Sequence, residues 1–176
     1  MKRKFNLYKL FPVFLVAAIF SLTSCLKSYD TYNDFSKVGT TIELPLAALN
    51  QETYGSNKVQ PQVYTASATP TDLPVYVNIA SPKPLSSALN VVLGVNAADA
   101  LNKFITASGK TYVLLPSNAY SVASLTANIP AGQRLGFVTF KINTAVIDKT
   151  VRNYVLPVSI VDAGGQKISN YSTVYY

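Results

Sequence analysis

Hydrophobic and polar residues alternate through most of residues 40–176. The alternating runs are Ile42–Leu46, Leu73–Ile79, Leu89–Val95, Ala123–Ile129, Val138–Ile142, Tyr154–Ile160 and, less regularly, Ile168–Tyr175. Successive side chains of a strand point to opposite faces of a sheet, so this period of two predicts strands with one buried face. Turn-forming segments rich in Pro and Gly, such as residues 81–84 and 162–165, separate the runs. We therefore predict an all-β fold, an antiparallel β-sandwich of about seven strands.

Two places depart from this pattern. Between Asn96 and Gly109, the apolar residues Leu101, Phe104 and Ile105 recur at helical spacing, with residues suited to capping at both ends. This segment predicts one short helix that crosses an end of the sandwich. Pro157 stands inside a predicted strand, where it cannot donate a ladder hydrogen bond, so we expect a sheet edge or a bulge there.

The first residues have the pattern of an export signal. A basic start is followed by 12 nearly all apolar residues, 11–22, whereas a membrane-spanning helix needs about 20. The segment Leu22-Thr23-Ser24-Cys25 resembles the lipobox of bacterial lipoproteins, in which the cysteine is acylated and becomes the new N-terminus. We therefore predict a signal peptide over residues 1–24 and lipidation of Cys25.

The resemblance to lipoproteins implies a location. Residues 25–39, from the lipidated Cys25 onwards, are predicted as a flexible tether, and residues 40–176 as the sandwich domain. Two or more acyl chains hold a protein stably on a membrane. Leu26, in place of an aspartate after the cysteine, permits export to the outer membrane by the same resemblance. The prediction is a lipid-anchored outer-membrane protein, with the cell surface and the periplasmic face both open.

Charge and composition exclude several classes of function. Removal of the four basic residues in the first 24 lowers the net charge from +7 to +3, and the remaining Lys and Arg are scattered. We therefore expect no nucleic-acid partner.

The chain has no His and only one Cys. These counts exclude a His-based catalytic triad, a His-containing zinc site and an intramolecular disulfide.

The carboxylates do not suggest catalysis. No pair of them has a spacing typical of acid–base catalysis, and no calcium or phosphate-binding loop is present. We therefore predict no enzyme activity, no catalytic residue, no metal site and no cofactor. The eight carboxylate residues of the chain are Asp30, Asp34, Glu43, Glu52, Asp72, Asp99, Asp148 and Asp162.

Tyrosine is the residue type with the most potential for ligand binding. Tyr54 and Tyr64 lie in a polar, irregular segment with several amides: Asn50, Gln51, Asn57, Gln60 and Gln62. Sugars bind to aromatic faces, and amides fix their hydroxyl groups, so these tyrosines are the candidate site for a glycan or a peptide. The alternative is that both are ordinary half-buried loop residues.

Other tyrosines suggest packing instead. We expect Tyr112, Tyr120 and Tyr154 to pack in or beside the core. Tyr175 and Tyr176 either complete the last strand or remain exposed.

Three segments from the predicted helix onwards carry a family resemblance. They are Gly109–Pro116 (G-x-x-Y-x-L-L-P), Ile129–Gly132 before an amphipathic strand, and Tyr154–Val158 (Y-x-L-P-V) before an acidic-Gly hairpin. In this order they resemble the Ig-like domain of unknown function at the N-terminus of many Bacteroidota surface lipoproteins. The resemblance implies an Ig-like β-sandwich behind a lipobox, often encoded in glycan-utilisation loci.

In that family a C-terminal module that binds or cleaves carbohydrate commonly follows, and we expect it to be absent here. The expected function is that of a non-catalytic outer-membrane lipoprotein, an Ig-like accessory, adhesion or protein-interaction module linked to surface glycan utilisation. Its partners would be the membrane, through Cys25, and a glycan or a surface protein. The alternatives are a small glycan-binding lipoprotein that uses the loop tyrosines, or a subunit of a surface assembly.

Overall fold

A computed structural model describes residues 38–48, 53–54, 57–58, 60–95, 98–109, 111–151 and 153–176. Every described residue belongs to one compact unit, Ser36–Tyr176. Cys25 and the predicted tether up to residue 37 lie outside the described residues. Within the part of the chain that the structure describes, no helix is long and apolar enough for a membrane crossing.

Two sheets form the body of the described unit. The strands are β1 (Thr41–Glu43), β2 (Thr53–Tyr54), β3 (Asn57–Lys58), β4 (Thr71–Ala80), β5 (Leu89–Val95), β6 (Val113–Leu114), β7 (Tyr120–Val122), β8 (Thr126–Ile129), β9 (Leu135–Ile142), β10 (Tyr154–Val155), β11 (Pro157–Asp162), β12 (Lys167–Ile168) and β13 (Thr173–Tyr175). The five-stranded sheet has the order β12-β1-β4-β9-β7 and the four-stranded sheet the order β13-β11-β5-β8. Two-stranded ladders join β2 to β3 and β6 to β10.

Helices are short. Helix α1 spans Pro45–Ala48 and helix α2 spans Ala98–Ser108, and single 3-10 turns occupy Ser117–Ala119 and Thr144–Val146. Helix α2 lies where the helical spacing predicted it. The predicted all-β, Ig-like antiparallel β-sandwich is thus confirmed.

The core lies between the inner faces of the two sheets. Along β4 and β9, every second residue is buried, which is the burial pattern that alternation predicts. Val75, Val77 and Phe140 of the five-stranded sheet and Val91 and Val158 of the four-stranded sheet are all fully buried in one hydrophobic cluster. A smaller cluster of Phe104, Val155 and Tyr175 packs beneath helix α2.

Some details differ from the prediction. The run at 168–175 forms two strands in different sheets, β12 and β13, instead of one. The ladders of β1 with β12 and of β6 with β10 are parallel.

Pro157 is not at a sheet edge, because β11 lies between β13 and β5. The irregularity in strand β11 falls between Ile160 and Asp162. Pro157 is tolerated because it is the first residue of β11, where a missing N–H costs no ladder bond.

Gly136 marks a close approach between the two sheets. A Cβ atom there would lie 2.6 Å from the Asn128 carbonyl oxygen and 2.8 Å from Ile129 Cγ1. We expect Gly136→Ala to lower the free energy of unfolding by about 1–3 kcal/mol, because the strands must move apart. Gly39→Ala is the matched control, since nothing lies within 4 Å of its added Cβ. Denaturant unfolding should leave that variant within about 0.5 kcal/mol of the parent; equal stability of both variants would contradict the prediction.

Candidate functional site

A cleft of about 340 Å³ opens between helix α2, the segment 60–64 and the C-terminal strand. We call it the tyrosine cleft. Its lining combines six aromatic rings with three amides and with apolar side chains. The aromatic residues are Tyr64, Phe104, Tyr112, Tyr154, Tyr175 and Tyr176, the amides are Gln60, Gln62 and Asn153, and the others are Pro61, Leu73, Leu115, Ile142, Ile147, Val155 and Leu156.

Stacked rings build the wall of the cleft beside helix α2. Phe104 is fully buried and its ring stacks on Tyr175, with centroids 4.4 Å apart and planes 13° from parallel. The Tyr112 ring is tilted by 51° against the Phe104 ring, with centroids 4.7 Å apart. The Tyr175 hydroxyl donates a hydrogen bond of 3.1 Å to the Ala100 carbonyl oxygen. Helix α2 is therefore joined to strand β13 by both packing and a hydrogen bond.

The segment that carries Tyr64 has no regular secondary structure but is held at both ends. The Gln60 N–H donates to the Tyr175 carbonyl oxygen at 2.8 Å, and the Gln60 side chain donates to the Leu46 carbonyl oxygen at 3.3 Å. At the other end, the Ser67 N–H donates to the buried Thr144 hydroxyl at 2.8 Å. These bonds position Tyr64 at the cleft without a strand.

Backbone pairing places the remaining tyrosines. Leu156 and Tyr176 exchange N–H···O bonds of 2.8 and 3.1 Å, which brings Tyr176 beside the cleft. The parallel ladder of β6 with β10 pairs Tyr154 with Val113, the residue after Tyr112. Residues distant in sequence thus line one cavity.

The cleft disfavours negative charge. None of the described residues that line it has a charged side chain. Burial raises the pKa of Tyr64, and it raises the pKa of Tyr176 further, where a charge on Tyr64 would add to the effect. Among the described residues, the buried Tyr64 hydroxyl has no hydrogen-bond partner.

Removal of that hydroxyl provides a test of its energetic cost. We expect Tyr64→Phe to raise the free energy of unfolding by about 1 kcal/mol, because an unpaired buried polar group destabilises a fold by about 1–3 kcal/mol and Tyr64 is only half-buried. Tyr175→Phe should instead lower it by about 1 kcal/mol, since that hydroxyl is bonded to Ala100. Thermal or denaturant unfolding measures both, and a loss of stability in Tyr64→Phe would show that its hydroxyl is paired.

The structure brings together only some of the residues singled out in the sequence. Tyr64, Gln60 and Gln62 share the tyrosine cleft. Tyr54 lies in the short strand β2, and its side chain is outside what the structure describes, as are Cys25, Asn50 and Gln51. Tyr112 and Tyr154 lie beside buried clusters, as expected, but they also face the cleft with Tyr175 and Tyr176, which the sequence did not mark as site residues.

Four of the five described carboxylate side chains form local hydrogen bonds or an ion pair. Glu43 accepts a hydrogen bond from the Asn78 amide at 2.9 Å, and Asp72 pairs with Lys141 at 2.7 Å. Asp148 accepts bonds from the backbone and hydroxyl of Thr150, which lower its pKa, and Asp162 accepts one from the Gly164 N–H. Within the described ranges, no group of three metal-ligating side chains occurs.

Solved structures from Bacteroides share the fold. A candidate carbohydrate-binding protein of Bacteroides ovatus has 16% identity and a TM-score of 0.56 over 69% of this chain and 35% of that chain. A multidomain protein of Bacteroides ovatus that includes DUF1735 has 17% identity and a TM-score of 0.58 over 77% and 43%. EndoBT-3987 of Bacteroides thetaiotamicron, solved with a Man5GlcNAc product, has 15% identity and a TM-score of 0.50 over 76% and 30%.

The chain spans less than half of each of these proteins. No curated protein matches it. A family model described as a "-like, N-terminal domain" matches residues 32–167, which is more than half of the chain. The protein therefore belongs to this N-terminal domain family, in agreement with the resemblance carried by its three sequence segments.

Proposed function

We propose that this protein is a non-catalytic, lipid-anchored module that binds carbohydrate during surface glycan utilisation. The observation that carries the proposal is the tyrosine cleft, in which aromatic rings meet amide side chains. The electron-rich face of an aromatic ring attracts the weakly positive C–H groups of a sugar, and amides can bond to its hydroxyl groups. Concave, mostly apolar sites with a few polar groups are typical of ligand binding.

The solved neighbours support a connection with carbohydrate. One is described as a candidate carbohydrate-binding protein, and another, EndoBT-3987, was solved with a Man5GlcNAc product. The resemblance to Bacteroidota surface lipoproteins adds the link to glycan-utilisation loci. We infer binding instead of hydrolysis because no side chain of the described cleft lining carries a carboxylate, whereas glycosidases use a pair of carboxylate side chains about 5–9.5 Å apart.

Affinity electrophoresis tests carbohydrate binding directly. The full chain, solubilised in a mild detergent, would be run through gels that contain host or dietary polysaccharides. We expect retardation by at least one polymer, which Tyr64→Ala abolishes. Tyr171→Ala is the matched control, because Tyr171 is exposed and lies outside the cleft lining. No retardation across a broad panel would count against the proposal.

The lipid anchor is proposed from the lipobox at Cys25. We expect a radiolabelled fatty acid to be incorporated into the full chain and the protein to fractionate with the outer membrane. In Cys25→Ala the thiol that carries the lipid is gone, so label incorporation should be lost. Proteolysis of intact cells then distinguishes the cell surface from the periplasmic face. Labelling that persists in Cys25→Ala would refute the anchor.

A second candidate function is docking of a protein partner on the outer face of the five-stranded sheet. Tyr76 and Phe137 are paired across β4 and β9, are 43% and 59% exposed, and have ring centroids 5.8 Å apart. Their planes are inclined by 51°, so they form an uneven apolar surface and not a flat platform for sugar. Exposed aromatic groups of this kind are enriched at protein interfaces. Cross-linking in intact cells should lose its product in Phe137→Ser if this surface is the one used.

A further inference from the structure

We infer that the tyrosine cleft accepts one or two sugar units of an uncharged glycan, and that it selects against acidic sugars. This inference rests on the proposed carbohydrate binding and specifies the class of ligand. It depends on the charge of the cleft lining, on its size, and on the kind of polar groups it offers.

The described part of the lining offers no cationic side chain to an acidic sugar. Carboxylate and sulfate groups on ligands are recognised by Arg, Lys or clustered N–H donors, and the described lining has neither an Arg nor a Lys. Transfer of an anion from water to a mostly apolar, aromatic site is unfavourable without such a partner. The raised pKa values of Tyr64 and Tyr176 have the same physical cause, because burial there disfavours the phenolate anion.

The size of the cleft restricts how much of a glycan can enter. Its volume of about 340 Å³ is near the lower end of the range for small-molecule sites, about 300–1,000 Å³. Leu73, Leu115 and Ile142 belong to the main hydrophobic core, so the cleft ends against the core on that side. A short unit fits this space better than a long stretch of polymer.

The polar side chains of the cleft can form hydrogen bonds with the uncharged hydroxyl groups of a sugar. Gln62 and Asn153 are exposed amides that can both donate and accept hydrogen bonds. A sugar hydroxyl has the same dual capacity, so one ligand could bond to both amides.

Calorimetric titration of the full chain in mild detergent tests the inference. The probes are neutral gluco-, manno- and galacto-oligosaccharides from mono- to hexasaccharides, together with galacturonate and sulfated oligosaccharides of the same lengths. We expect affinity to reach its maximum at the mono- or disaccharide, and acidic sugars to bind at least about tenfold more weakly. Tyr64→Ala should weaken binding by about tenfold or more, and Tyr171→Ala should leave it unchanged.

The other possible outcomes distinguish a failure of this inference from a failure of the proposed function. If acidic sugars bind as well as neutral ones, or if affinity still rises beyond the disaccharide, the inference is wrong and the proposed function stands. If no sugar of either class binds, the proposed function fails as well. Gln62→Ala, at an exposed position that the fold does not need, covers the case in which Tyr64→Ala does not fold. Neutral-sugar binding that survives this variant unchanged would place the site outside the cleft rim and overturn the inference.

Discussion

Phe104→Ala lowers the free energy of unfolding by about 3–5 kcal/mol, the largest effect that we expect from a single substitution in this domain. Phe104 is fully buried, and it is the central residue of the small cluster beneath helix α2. Truncation removes its transfer free energy and leaves a cavity, and the ring contacts with Tyr175 and Tyr112 are lost as well.

The effect extends to the tyrosine cleft because Phe104 forms part of its wall. Without the stacked ring, Tyr175 loses the surface that fixes its orientation. Helix α2 then keeps the hydrogen bond from the Tyr175 hydroxyl to Ala100 but loses its principal apolar contact. We therefore expect Phe104→Ala also to weaken any ligand binding that depends on this wall.

The same substitution at Phe137 is the matched control. Phe137 is 59% exposed, and its main partner is Tyr76 on the neighbouring strand. A cross-strand pair of this kind contributes about 0.2–1 kcal/mol, so Phe137→Ala should cost about 1 kcal/mol or less. Denaturant unfolding of both variants provides the comparison. If the two losses were equal, the cluster beneath helix α2 would not stabilise the fold as its burial indicates.

The sequence was sufficient to predict the long strands. In β4 and β9, alternation extends over enough residues that the buried face is unambiguous, and helix α2 has an apolar period that no strand shares. The sequence did not predict which strands pair, because alternation identifies the buried face of a strand and not its neighbouring strand. The parallel ladders of β1 with β12 and of β6 with β10 involve two residues each, too few for any periodic signal.

The candidate site could be predicted only in part for the same reason. Tyr64 stood out because it lies among amides in an irregular segment. Tyr112, Tyr154 and Tyr176 lie in or beside strands, where tyrosine is common for reasons of packing. What makes them one site is the parallel ladder of β6 with β10 and the reciprocal bonds between Leu156 and Tyr176, and these are contacts between distant segments.

Alkaline pH destabilises the folded domain, because three tyrosines of the cleft resist ionisation. Burial raises the pKa of Tyr64, Tyr175 and Tyr176, and a charge on Tyr64 would raise that of Tyr176 further. Below a pH of about 10, all three residues are protonated in the folded and in the unfolded chain, so the full stability is present. Above it, the unfolded chain releases these protons first, and the free energy of unfolding falls as pH rises.

The loss is at most about 1.4 kcal/mol per pH unit for each tyrosine that stays fully protonated in the fold. Tyr176 should approach this limit most closely, because its pKa is raised furthest, and Tyr64 should contribute less because solvent screens its partly exposed ring. Urea unfolding between neutral and alkaline pH, with phenolate absorbance recorded in parallel, measures both the slope and the ionisation.

Matched Tyr→Phe variants identify the residues responsible. Tyr176→Phe should flatten the alkaline slope most and Tyr64→Phe less, because each removes a proton that the folded state retains. Tyr171→Phe is the matched control, since Tyr171 is exposed and lies outside the cleft. If Tyr176→Phe retained the parent slope, the Tyr176 hydroxyl would be open to water in the folded state. The same result would remove one reason to expect the cleft to exclude anionic sugars, because the burial that suppresses a phenolate there is also the burial that would disfavour a carboxylate.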